Sequence, residues 1–118
     1  MSEDHHVAAI VPARDIDASE AFYRRLGFET VSNYGDYRLM DDGRGWRIHL
    51  RSTPGWPGRI EDNPLGLYLY VEDVDAVADR VRELILEPQG PHARAWGTYE
   101  FSVSDPSGAL IRIGRVLG

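Results

Sequence analysis

The most regular feature of the chain is the spacing of its apolar residues, and that spacing changes along it. In "RDIDASEAFYRRLGFE" (14–29) apolar side chains fall at Ala18, Ala21, Phe22 and Leu26. In "EDVDAVADRVRELILE" (72–87) they fall at Val74, Val77, Ala78, Val81 and Leu84. Steps of three and four residues put such positions on one side of a helix. Asp15 and Asp73, near the start of each segment, stand where an N-cap accepts the first free backbone N–H groups. The segments also echo one another at a constant offset of 58 positions: Asp15 with Asp73, Ile16 with Val74, Asp17 with Asp75, Ala18 with Ala76, Arg24 with Arg82, Leu26 with Leu84 and Glu29 with Glu87. The spacing predicts two equivalent helices.

A strand-like run precedes each helix, "VAAIVPA" (7–13) and "LGLYLYV" (65–71). Further runs follow at 28–33, 36–41 and 46–51 in the first half and at 98–104 and 109–116 in the second, bounded by Gly, Pro, Asn and Asp. Each half therefore reads β-α-β-β-β, an α+β pattern. "STPGWPGRIEDNP" (52–64) is rich in Pro and Gly and has no period, so it reads as the connection between halves. At 118 residues there is room for one compact domain. The expected organisation is a single domain over 1–118, with repeat halves at about 5–52 and 64–118 and a linker at 53–63.

Neighbours along a strand point to opposite sides, so alternation sorts the side chains by face. In 65–71, Leu65, Leu67, Leu69 and Val71 form the face expected against a helix, and Gly66, Tyr68 and Tyr70 form the other. In 98–104, Tyr99, Phe101 and Val103 oppose Thr98, Glu100 and Ser102, and the same parity carried backwards puts Trp96 on the polar side. In 46–51, Ile48 and Leu50 oppose Arg47 and His49, with Trp46 on the core side; in the last strand Ile111 and Ile113 oppose Leu110 and Arg112. A second face emerges, polar and aromatic. It reads either as the solvated side of an antiparallel sheet, which accounts for Arg47, Thr98 and Ser102, or as a ligand groove. The groove accounts better for Tyr68, Tyr70 and Trp96, which offer ring surface with hydrogen-bonding edges. Trp56, between two Pro-Gly pairs, reads as loop packing, groove lid or dimer contact. Pro12 removes a donor from the first strand, as is tolerated at an edge or where a strand crosses to a partner chain.

Composition narrows the function classes. The apolar fraction of 42% and charged fraction of 27% are those of a globular domain. A net charge of -6 argues against a sequence-neutral grip on nucleic acid, which needs clustered cations, and favours cationic partners. No cysteine is present, so disulfides, thiolate metal sites and cysteine nucleophiles are excluded. "MSEDHHV" is acidic where a signal peptide would be basic, and no apolar run approaches a membrane span, so a cytoplasmic protein without a membrane partner is expected. The hydroxyls of 98–107 lack a nucleophile elbow.

With these halves, "VPARDIDASEAFYRRLGF", "YVEDVDAVADRVREL" and "WGTYEFSVSDPSGALIRIG" resemble the vicinal oxygen chelate superfamily, also called glyoxalase/bleomycin resistance/dioxygenase, over nearly the whole chain. Trp96, Gly97, Glu100, Phe101, Asp105, Pro106 and Gly108 stand at motif positions that most resemble its bleomycin resistance protein branch. The resemblance implies two β-α-β-β-β repeats forming a curved mixed sheet with a concave groove, in a strand-swapped homodimer. The ligand positions of the superfamily's metalloenzymes fall at Ala8, Arg47, Gly66 and Arg112; none binds a divalent cation and two would repel it. A displaced site at His6 and His49 lacks a carboxylate at matching spacing, and no metal or cofactor is expected.

What the resemblance implies functionally is metal-free binding and sequestration of a bleomycin-type cationic glycopeptide antibiotic, conferring resistance. Trp96 would stack on the drug's flat tail, with Tyr34 or Tyr37 opposite; Asp62, Glu61 and Glu100 would supply acidic contacts. Tyr68, Tyr70, Trp56, Arg112 and His49 complete the candidate set, while Glu100 could equally be a structural partner of Arg112 or Arg47. The rival readings are a superfamily enzyme of lyase or isomerase type acting on a small polar substrate, and a binding protein for another aromatic natural product.

Overall fold

The computed structural model describes residues 5–118; Met1 to Asp4, part of the acidic N-terminal stretch, lie outside the described residues. Asp15 caps helix α1 (Ile16–Leu26), its carboxylate accepting the Ala18 N–H at 3.1 Å. The helix closes at Gly27, whose φ of 117° lets its own N–H and that of Phe28 fold back onto the carbonyls of Arg24 and Tyr23 at 3.0 and 3.1 Å. Asp73 repeats the cap on the Ala76 N–H at 3.0 Å. Helix α2, however, spans only Val74–Arg80, so the two helices are not equivalent in length. The helix stops at Val81, a β-branched residue whose φ of -131° has left the helical region, and where the first copy has Gly27 the second has Ile85. The chain leaves instead through a short 3-10 turn at Arg82–Leu84, and Ile85 makes an isolated β-bridge to Val103.

Two compact units meet in sequence between Trp56 and Pro57, inside the predicted linker. The first holds β1 (Ala9–Ala13), β2 (Glu29–Asn33), β3 (Tyr37–Asp41) and β4 (Arg47–Ser52) in the order β1-β4-β3-β2. The second holds β5 (Gly66–Tyr70), β6 (His92–Ala93), β7 (Thr98–Ser104) and β8 (Leu110–Val116) in the order β5-β8-β7-β6. In both, the first strand runs parallel to the last and the other pairs are antiparallel. The fold is α+β, and each half closes its own four-stranded mixed sheet where one curved sheet was expected. β1 is an edge strand, a place that tolerates Pro12.

Strand register fixes which residues correspond between halves. His49 lies opposite Ile10 and Leu39, as Arg112 lies opposite Tyr68 and Ser102. On the same register Tyr37 corresponds to Glu100 and Arg38 to Phe101. In the first half Val11, Ala13, Met40, Ile48 and Leu50 are buried with Phe22, Tyr23, Leu26 and Phe28, and the half-buried Trp46 ring lies 5.7 Å from that of Phe28. In the second, α2 buries Val74, Val77 and Ala78, while Phe101, Val103, Ile111 and Ile113 are fully buried in the sheet it packs on.

The "DPSG" turn is a structural fastening. Buried Asp105 accepts the N–H groups of Ser107 and Ala109, each at 2.9 Å. Gly108 has φ +88°, and a Cβ there would come within 2.8 Å of the Arg59 backbone, because the linker crosses directly over it. Asn63 ties the linker down, donating to the Ser107 carbonyl at 3.0 Å and accepting the Leu65 N–H at 2.9 Å. Among the described residues no helix is long and apolar enough to cross a membrane.

Candidate functional site

Trp96 sits at the tip of the β6–β7 hairpin. Arg94 donates its N–H to the Thr98 carbonyl at 2.7 Å, and Gly97 closes the turn onto the Arg94 carbonyl at 3.0 Å. Gly97 has φ +94°, which explains why glycine follows the tryptophan. The turn leaves the indole 61% exposed, with the Arg94 guanidinium 4.1 Å above its ring. The β2–β3 hairpin of the first half has the same design. Tyr34 is 73% exposed and is followed by Gly35 at φ +84°. Each half thus displays an aromatic-Gly pair at a hairpin tip.

Below Trp96, on the side of the sheet away from α2, Glu100 is only 1% exposed. One carboxylate oxygen accepts the Tyr68 hydroxyl at 2.9 Å and the Thr98 hydroxyl at 2.7 Å. The other accepts from Arg112 at 3.0 Å, with Arg94 at 3.6 Å. Burial pushes the Glu100 pKa up, but hydrogen bonds from Thr98, Tyr68, Arg112 and the Trp96 indole outweigh it and hold the carboxyl below its ordinary value. Burial, and then the bond to Glu100, raise the Tyr68 phenol. Of the two structural partners offered for Glu100, Arg112 is the one in place.

Tyr68 reaches Glu100 because β8 carries Gly114 beneath it. A Cβ at Gly114 would collide with the Tyr68 hydroxyl and lie 2.6 Å from the Glu100 Cβ. Tyr70 extends the ring surface, its centroid 4.5 Å from that of Tyr68. The simple reading of this face as solvated fails at Glu100 and Ser102, both buried. Glu87 comes over the sheet to accept the Ser102 N–H at 2.8 Å and its hydroxyl at 2.6 Å.

Beside the network, Gly66, Leu67, Tyr68, Leu110 and Arg112 line a groove of about 240 Å³. In the first half a groove of similar size, about 240 Å³, is lined by residues including His6, Ala8, Asp41, Arg47 and His49. The His49 Nδ1 and the Tyr37 hydroxyl share a hydrogen bond of 2.7 Å. Of the positions that the resemblance assigns to a metal, Ala8 and Gly66 offer no side-chain donor and Arg112 is a cation, and strand register makes His49, not Arg47, the counterpart of Arg112, which leaves one imidazole as the single donor of the four. Asp41 does join His6 and His49 on one groove wall, but among the described residues no three His, Asp or Glu side chains are grouped to hold an ion.

The remaining candidates lie apart from the Glu100 network. Glu61 and Asp62 are exposed in a 3-10 turn, where Arg59 stands 2.7 Å from Glu61 and 4.0 Å from Asp62 and lowers the Glu61 pKa. Trp56 is half buried, and among the described residues its indole N–H has no hydrogen-bond acceptor. Alternation missed Arg94, because β6 is only two residues long and has no period to read. It placed Thr98 on the right face without marking it as a donor to Glu100. The signal for both was the hairpin: "RAWGT" pairs a turn glycine with donors on either side of the tryptophan.

The family model described as the glyoxalase/bleomycin resistance protein/dioxygenase superfamily matches residues 5–113. Among solved structures, a bleomycin-binding protein complexed with bleomycin is 22% identical with a TM-score of 0.80, over 95% of this chain and 98% of that one. A bleomycin resistance determinant encoded on the transposon Tn5 is 21% identical with a TM-score of 0.81, over 96% and 98%. TioX from Micromonospora sp. ML1 is 22% identical with a TM-score of 0.78, over 97% and 100%. At such identities the likeness establishes the fold. No curated protein matches the chain in sequence. With a match that runs through both β-α-β-β-β halves, the chain belongs to the glyoxalase/bleomycin resistance protein/dioxygenase superfamily.

Proposed function

We propose that this protein binds an aromatic natural product and sequesters it without altering it, and that the product is a cationic glycopeptide antibiotic of the bleomycin type. The observation that carries the reading is the ring surface on the second half: exposed Trp96 at a hairpin tip, steadied by Arg94, with the Tyr68–Tyr70 pair on the same sheet face. An exposed indole held in place offers stacking area at little ordering cost. The likeness to a bleomycin-binding protein and to a bleomycin resistance determinant supports the choice of ligand, and the net charge of -6 suits a cation. Glu61 and Asp62 are the exposed carboxylates for such a ligand, Glu61 shared with Arg59, whereas the buried oxygens of Glu100 already face Tyr68, Thr98, Arg112 and Arg94.

The proposal includes one domain made of two repeat halves, acting in the cytoplasm as a homodimer and conferring resistance on its host. Apolar side chains left exposed on strands, Ile10 and Val31 in one half and Val116 in the other, support a second copy as partner. Bleomycin titrated into the purified protein is expected to change tryptophan fluorescence and to be recovered chemically unchanged by mass spectrometry. Turnover of the drug would assign the protein to the enzymes of its superfamily. Absence of binding at high micromolar concentration would leave another aromatic product as the ligand.

A further inference from the structure

We infer that the groove of the second half holds a carboxylate, or an oxyanion of the same planar shape, carried on a small aromatic ring. The inference rests on reading this face as a small-molecule site, and it adds an anionic group that the cationic reading of the ligand does not contain. Arg112 lines the groove and is 37% exposed, and one of its nitrogens donates to Glu100 at 3.0 Å. Among the described residues its other N–H groups meet no protein acceptor. A guanidinium is a planar fork of donors, so an edge left open is shaped for two parallel bonds to one carboxylate.

The charges do not balance locally. Arg94 and Arg112 lie 3.6 and 3.0 Å from the same Glu100 oxygen, and among the described residues neither has another carboxylate within ion-pair distance. Two cations therefore share one anion. Another acid tied to this face is Glu87, bonded to Ser102, the cross-strand neighbour of Arg112. Its oxygens bond the Ser102 N–H and hydroxyl, and among the described residues it makes no ion pair with Arg112 or Arg94. The net charge of -6 does not cancel the local excess, because exposed charges are screened beyond about 8 Å at physiological salt.

The rest of the groove supplies the aromatic part. Leu110 and the Tyr68 ring make apolar walls, and low-dielectric walls beside Arg112 strengthen an ion pair there. Gly66 keeps the wall open; a Cβ there would sit in ordinary contact, 3.4 Å from the Leu110 carbonyl, so a larger side chain can occupy the space without breaking the strand. At about 240 Å³ the groove is smaller than the roughly 300–1,000 Å³ of drug-sized sites, and so takes a one- or two-ring acid or the acidic end of something larger.

The test compares 2-naphthoate with 2-naphthamide, which has the same rings and a neutral head, by calorimetry. Naphthoate is expected to bind the wild type at least about tenfold tighter, with the difference shrinking as salt rises. Arg112→Gln should bring naphthoate down to the level of naphthamide, and Gly66→Val, which fills the groove without touching the Glu100 network, should remove both at an unchanged melting temperature. If Arg112→Gln does not fold, Arg112→Lys keeps the charge and should weaken naphthoate several-fold while leaving naphthamide alone. Equal binding of the two probes, a preference that survives at Arg112, or no naphthoate binding would overturn the inference. Bleomycin run alongside separates the two proposals: bleomycin without naphthoate leaves the proposed function and removes this site, while naphthoate without bleomycin does the reverse.

Discussion

The two halves share one backbone plan and hold it together by opposite means. On the side facing the helix, Arg38 in the first half takes the place that Phe101 takes in the second. Arg38 is buried and pairs with Glu20 at 2.9 Å and Asp17 at 2.8 Å, while Glu20 also accepts the Thr30 hydroxyl at 2.5 Å. On α2 the residue corresponding to Glu20 is Ala78, and Phe101 is fully buried. The Asp17 counterpart, Asp75, accepts the Tyr99 hydroxyl at 2.6 Å and raises that phenol's pKa. On the other face, Tyr37–His49 in the first half corresponds to Glu100–Arg112 in the second. A repeat therefore conserves its strand pairings while its side-chain interactions are free to change from ionic to apolar, because the backbone ladder is indifferent to either.

The sharpest break of the comparison is Phe101→Ala, which should cost about 3–5 kcal/mol through lost burial and a cavity. Arg38→Ala should cost about 3 kcal/mol, at the low end for breaking a buried pair. Asp17 adds little to that figure, since it is 83% exposed. Making the first half like the second, with Arg38→Phe and Glu20→Ala together, should recover most of the loss, because apolar replacement of a whole buried ionic cluster is often neutral or stabilising. Chemical denaturation of the four proteins checks the ranking. A double variant weaker than Arg38→Ala alone would show that the ionic cluster sets the helix position.

Gly114→Ala should cost about 1–3 kcal/mol, the range for overpacking, because its Cβ must displace Tyr68 or Glu100. No such penalty is expected at its counterpart, Arg51, on replacement by Ala. The pH dependence follows from the same face. Glu100 is held below its ordinary pKa in the folded state. Its contribution is therefore complete above the unfolded value of about 4.3 and is lost as pH falls through the lower folded value. In Glu100→Gln the loss of stability on acidification below about pH 4.3 should be shallower than in the wild type. An unchanged acid limb would mean that other carboxylates dominate it.

The smallest effect on stability is expected at the hairpin tips. Tyr34→Ala should change stability by no more than about 0.5 kcal/mol, as exposed positions do, and Trp96→Ala by about 1 kcal/mol, because its indole also donates to the buried Glu100. Trp96→Ala should nevertheless weaken bleomycin binding by about 2 kcal/mol if the indole is an anchor. A large fall in melting temperature with normal affinity in the folded fraction would instead make Trp96 a structural residue.

Much of this organisation can be read before folding. The caps at Asp15 and Asp73 depend on one side chain and a backbone donor three residues on, so they are visible locally. The sides of the strands are visible because alternation is a property of the single strand. Less legible was Glu100: parity turns it away from the helix, but only Tyr68 reaching across Gly114 and Arg112 and Arg94 closing over it make it buried. Arg38 is the mirror case, a charged residue on the core side whose partners lie 18 and 21 positions away on α1.

By itself, then, the order of residues determined the elements, their faces, the repeat and the turns, since each depends on neighbours a few positions apart and on the φ angles that glycine, proline and β-branched residues allow. Only the tertiary structure decided that each half closes its own sheet, that Glu100 is an enclosed anion serving several donors, and that Arg112 keeps an edge open toward a groove. Those outcomes depend on which strands pair across dozens of residues and on which side chain passes over which glycine. A charge is buried or exposed according to partners that no local window of the chain contains.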